Sequence, residues 1–98
     1  MNTTMLVLNI PVELEEDLVD YLLSLEGIGG FTSFRVQGHG EHSALSIAEQ
    51  VTGRRTRLRY EIVLPESLVS GLVQGLAAGV GSDIIYWQQP VTNFGRIG

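Results

Sequence analysis

Cysteine is absent from the 98-residue chain, so disulfides and thiolate metal sites are excluded outright. Lysine is absent as well: the six basic residues are all Arg and stand against 11 acidic ones, for a formal net charge of -5. That sign argues against nucleic acid as a partner, because neutralising phosphates needs a field of the other sign. No apolar stretch comes near the roughly 20 residues of a membrane-spanning helix, and no basic leader precedes an apolar run. The expectation is a soluble, cytoplasmic protein without direct membrane insertion.

What the chain does have is apolar surface. Hydrophobic residues make up 44% and mean hydropathy is +0.19, more than one thin core needs in a single domain spanning residues 1–98. A chain this short buries only about 60–65% of its unfolded surface, and subunit association is a plausible supplement. Charge is also unevenly placed. Four of the six arginines fall in Arg54-Arg55-Thr56-Arg57-Leu58-Arg59, whereas acid gathers at Glu13, Glu15, Glu16, Asp17 and Asp20. One basic and one acidic region can steer a partner or join two copies of the chain.

Thr4 to Ile10 is apolar apart from Asn9 and runs into Pro11, the pattern of a central strand buried on both faces. From Glu13 the period becomes helical, through Leu14, Leu18, Tyr21, Leu22 and Leu25, with carboxylates on the other side and early enough to suit the positive helix end. The helix is expected to end near Gly27. A second strand is predicted over Phe31 to Gln37, with Thr32, Phe34 and Val36 on one face and Phe31, Ser33, Arg35 and Gln37 on the other. The long connection Gly38 to Gly53 follows, with a short helix capped by Ser43 in its middle.

Arg55 to Leu64 alternates as a third strand: Leu58, Tyr60, Ile62 and Leu64 form an apolar face, and Arg55, Arg57, Arg59 and Glu61 a charged one. Pro65 suits the first turn of a second helix through Leu68, Leu72 and Leu76. Gly71, Gly75 and Gly79 leave one side of it bare, either for close approach of another backbone or as poor helix formers on an exposed face. Asp83 to Gln89 reads as the fourth strand, stopped by Pro90, and residues 91–98 as a tail. The order βαββαβ predicts a ferredoxin-like α+β fold, a four-stranded antiparallel sheet with two helices on one face and the long loop between strands two and three. The open face is expected to carry Phe31, Arg35, Arg57 and Arg59 and to be buried by oligomerisation.

Over nearly the whole chain these residues resemble the PII-like signalling family. Gly30, Thr32, Val36, Gly38 and Gly40 match the spacing of that family's Gly-x-Thr-x-x-x-Val-x-Gly-x-Gly strand, and Glu61-Ile62-Val63-Leu64-Pro65 is similar to its third strand entering the second helix. Gly38-His39-Gly40, Ala48-Glu49-Gln50-Val51 with Gly53-Arg54-Arg55, Tyr86-Trp87 and Gly95-Arg96-Ile97-Gly98 resemble an uncharacterised branch encoded beside heavy-metal efflux pumps. The resemblance implies a trimer, an effector-binding turn at Gly38 and Gly40, Arg96 as the counterpart of a family arginine, and a protein partner such as a metal efflux component. This chain departs from the nucleotide-binding members at Glu41 and His42, where they carry Arg-Gln. In Gly79-Val80-Gly81-Ser82-Asp83 the glycines of the family's phosphate loop are kept, but an acid stands where a base is needed. The set of residues for ATP is incomplete, which argues against ATP as the ligand.

His39, Glu41 and His42 offer nitrogen and oxygen ligands suited to a divalent transition metal such as zinc, copper(II), nickel or cobalt. A complete site takes about four ligands, so a second loop or subunit has to contribute; two solvated loop histidines are the bland alternative. Arg55, Arg57 and Arg59 point the same way and suit a phosphate or carboxylate, or else an ion-paired interface with the acidic helix of a neighbouring subunit. Three functions stay open. The favoured one is a non-enzymatic sensor that binds a metal or small effector at the turn after strand two, with Gly38, Gly40, Arg55, Arg57 and Arg96 as ligand-binding residues, and signals to a protein partner. The second is a metal buffer or metallochaperone. The third is a small enzyme at a subunit cleft, for which only Ser43 beside His42 offers a nucleophile and a base.

Overall fold

In the computed structural model, which describes residues 2–39 and 54–98, β1 runs over Thr3–Pro11 and passes through a 3-10 turn at Val12–Leu14 into α1, Glu15–Ser24. β2 covers Thr32–His39 and β3 Arg54–Pro65. A second 3-10 turn, Glu66–Leu68, leads into α2 at Val69–Gln74 and α3 at Leu76–Gly79, and β4 closes the order at Ile85–Pro90. All pairings are antiparallel and the sheet order is β2-β3-β1-β4, with β1 and β3 inside and β2 and β4 at the edges. This is the ferredoxin-like arrangement expected from the alternation of periods.

Register sets the core. Leu6, Leu8 and Ile10 of β1 lie opposite Ile62, Tyr60 and Leu58 of β3. Onto that face pack Leu18 and Leu22 of α1, Val69 and Leu72 of α2 and Leu76 of α3, all nearly sealed from solvent. Each such side chain contributes about 1.5–3 kcal/mol by leaving water. Among the described residues no helix is long and apolar enough to cross a membrane.

The second helix is not continuous, and Pro65 ends β3 instead of opening it. Tyr21 of α1 accounts for the break. Its hydroxyl donates a 2.7 Å hydrogen bond to the Leu72 carbonyl, which an unbroken helix would offer to residue 76. The Tyr21 ring lies over Gly75 and Gly79, where an added Cβ would overlap the hydroxyl or crowd the ring, whereas Gly71 faces open space. Two of the three glycines therefore serve close approach, though of a side chain and not of a backbone.

β2 reaches further than the sequence suggests. Gly38 and His39 are ladder residues opposite Arg55 and Arg54, so the turn expected at Gly38 is not at that residue; the predicted Ser43 helix lies outside the described residues. The open face also differs in parity. Phe34 pairs with Arg59, while Arg35 pairs with Leu58 on the helix-covered side. Phe31 packs at the rim of the core, its ring centroid 5.9 Å from that of Tyr60. A shift of one position exchanges the faces of a strand. The open face thus carries Phe34 and Val36 of β2 in place of Phe31 and Arg35, beside Val7, Arg57, Arg59, Ile85 and Trp87.

Candidate functional site

Arg55, Arg57 and Arg59 alternate along β3 and share the open face, but they meet different partners. Arg57 stands opposite Pro11, the last residue of β1, so its side chain crosses the end of that strand. There its Nε donates to the Asn9 side-chain oxygen. Its Nη2 donates to the Asn9 carbonyl at 2.8 Å and to the Asp83 carbonyl at 2.6 Å, and Nη1 lies 3.4 Å from Asp83 Oδ2. Arg55 Nη1 approaches the same Oδ2 to 2.5 Å. Arg57 is 2% exposed and Arg55 8%. Burying a guanidinium costs several kcal/mol unless its donors are satisfied, and Asn9 and Asp83 satisfy those of Arg57.

Asp83 reaches the pair because β4 starts only at Ile85, which leaves residues 80–84 as a loop that brings Asp83 up to the arginines. It holds φ at 63°, a left-handed conformation that Asp tolerates better than most side chains. Burial alone would push its carboxyl up, but the hydrogen bond and charge of Arg55, with the charge of Arg57, outweigh this and hold it below its ordinary value. The third arginine is set apart. Arg59 presents its guanidinium carbon 5.2 Å from the ring centre of Trp87 and 6.0 Å from that of Phe34, a cation–π arrangement across three strands.

Of the residues expected at a site, Arg55 and Arg57 come together and Gly38 lies beside Arg55 in the ladder. Their ion-pair partner within the chain is Asp83. His39 is exposed at the end of β2. Gly40, Glu41 and His42 lie outside the described residues, and so does the metal set they were to form with His39. Among the described residues no three His, Asp or Glu side chains gather as metal ligands. Arg96 is exposed in the tail. The sequence reading missed Asn9 and Asp83 as members of the site, although each left a signal: Asn9 as the polar residue in an apolar strand, Asp83 as an acid in a loop where a base was sought.

An apolar cleft of about 220 Å³ between α2, α3 and β4 adjoins the Asp83 loop, with Val73, Leu76, Ile84 and Tyr86 in its walls. A wider depression of about 800 Å³ lies at the other end of the sheet, among Thr3, Glu66, Gln88 and Phe94; it holds no cluster of charged groups.

Residues 1–98 match a family model described as "Protein of unknown function (DUF3240)". Among solved structures, the chain is similar to the crystal structure of a DUF3240 family protein from Shewanella baltica OS155, with 24% identity over 100% of this chain and 99% of that one and a TM-score of 0.83. That likeness supports the fold. No curated protein matches the chain.

Proposed function

The chain belongs to the DUF3240 family of proteins of unknown function, and we propose that it is a non-enzymatic, PII-like sensor module. In this reading it is a homo-oligomer, trimeric by the resemblance, that takes up a metal or small effector where β2 ends and β3 begins and passes its occupancy to a protein partner. The observation that carries the reading is the cluster of Asn9, Arg55, Arg57 and Asp83. It ties the end of β1, the start of β3 and the loop entering β4 to one node, so a ligand at this end of the sheet changes the contacts of all three segments together. The clustered groups are two guanidiniums, an amide and a carboxylate held by the guanidiniums. They bind and orient, and they include no nucleophile set against a base.

The open face supports self-assembly. Phe34, Ile85 and Trp87 are half-exposed beside Val7, and the core-forming helices all lie on the opposite side of the sheet. Apolar patches of this kind mark association surfaces. Further copies of the same chain are the occupants we assign to it, in keeping with the high apolar content of so short a sequence. The resemblance to an efflux-linked branch supports heavy-metal efflux as the setting.

Light scattering on the full chain is expected to give about three times the chain mass of 10.7 kDa, and Trp87→Glu to move it toward the monomer; a monomeric wild type overturns the assembled sensor. Calorimetry with Zn(II) on the wild type and on a His39→Ala, His42→Ala variant tests the metal arm, which requires the affinity to fall in the variant.

A further inference from the structure

We propose that Arg55 and Arg57 form a binding site for a compact, doubly charged oxyanion, and that Asp83 occupies this site from within the chain until such an anion displaces it. The inference rests on the sensor reading and names the chemical class of its effector. Three features carry it. The Arg57 side chain is 2% exposed and that of Arg55 10%, yet among the described residues the one carboxylate within ion-pair distance of either is that of Asp83, and both reach it through Oδ2, at 2.5 and 3.4 Å. Asn9 meets donors of Arg57 with neutral oxygens only, so two buried positive charges share one carboxylate, and a ligand with two negative charges and several oxygens matches the pair better.

Depth is the second feature. The Arg57 side chain is 2% exposed and that of Asp83 37%, so the cations form the floor and the carboxylate stands at the mouth, where it can leave without disturbing the strands. Third, Asp83 holds a left-handed backbone, φ 63°, in a loop secured to Arg57 through its own carbonyl. Strained residues of this kind recur at ligand clamps. Exchange at the carboxylate frees the Asp83 side chain while the carbonyl tether to Arg57 stays, and the altered contacts at the entry to β4 carry the signal.

Asp83→Asn removes the resident charge while keeping a side chain that tolerates the left-handed conformation, and Asp83→Gly is the second variant. Inorganic phosphate and oxalate, titrated at constant ionic strength, serve as probes and separate phosphate from carboxylate sources. Either variant is expected to bind one of them about tenfold more tightly than the wild type, because the anion compensates a buried charge left unpaired. Adding Arg55→Gln is expected to abolish the gain. A folded Asp83 variant without the gain, or a gain that survives Arg55→Gln, overturns the proposal. Should neither variant fold, the wild type decides: saturable shifts of the Ser82 to Ile84 amide resonances support exchange, and a flat response refutes it. A missing gain in a chain that still assembles refutes the oxyanion alone, whereas a monomeric wild type that shows the exchange refutes only the assembled sensor.

Discussion

Arg57 is an unusual residue to find sealed in a chain this small, and its neighbours explain how it is tolerated. Asn9 and Asp83 each give it a side-chain oxygen and a backbone carbonyl, so its charge is met from two segments. The pH dependence follows from Asp83. Its folded carboxyl titrates below the ordinary value of 3.8. The stability it contributes is therefore complete above about pH 5 and is lost as pH falls through the ordinary carboxylate range toward the lower folded value. Urea midpoints measured from neutral pH down to about pH 3 are expected to fall less steeply for Asp83→Asn than for the wild type in that acid window. Parallel curves would remove Asp83 from the acid response. The arginines of this site were legible from their alternation in β3. Their partners were not, because Asn9 and Asp83 lie far away in sequence, and only the ends of β1 and the loop before β4 bring them close.

At the scale of the element, the break between α2 and α3 is the clearest departure from expectation. Apolar spacing from Leu68 to Ala77 is helical throughout, and the spacing does not say which of the glycines along it marks an interruption. The cause sits on α1, where Tyr21 claims the Leu72 carbonyl and covers two glycines, and no local pattern encodes a tertiary contact of this type. A pair of substitutions separates this packing from simple helix propensity. Gly71→Ala adds a methyl group into open space and is expected to stabilise by about 0.5–1 kcal/mol. Gly75→Ala drives its methyl group into the Tyr21 hydroxyl and is expected to destabilise by about 1–3 kcal/mol, with partial recovery in combination with Tyr21→Phe. Urea denaturation of the three variants is the measurement, and equal gains from both alanines would show that Tyr21 does not govern the break.

For the whole molecule, two periods and the punctuation of Pro11, Gly27 and Pro90 were enough to foresee the βαββαβ order and the layer arrangement. Which residues line the open face was harder to read. Alternation in β2 separates Phe34 and Val36 from Phe31 and Arg35, but it does not say which set faces the helices. That choice depends on register against β3, where Phe34 meets Arg59 and Arg35 meets Leu58. Once register is fixed, Phe34, Arg59 and Trp87 become one cluster spanning β2, β3 and β4.

Trp87 is the chain's single tryptophan, and it is 37% exposed on that face with a guanidinium over its ring. The molecule thereby carries its own optical probe: indole emission shifts to shorter wavelength when water leaves the ring and is sensitive to a nearby charge. If copies of the chain meet through this face, the emission maximum is expected to move to longer wavelength on dilution, at the concentration where light scattering records dissociation. An emission spectrum that ignores concentration while the mass changes would show that the copies meet elsewhere.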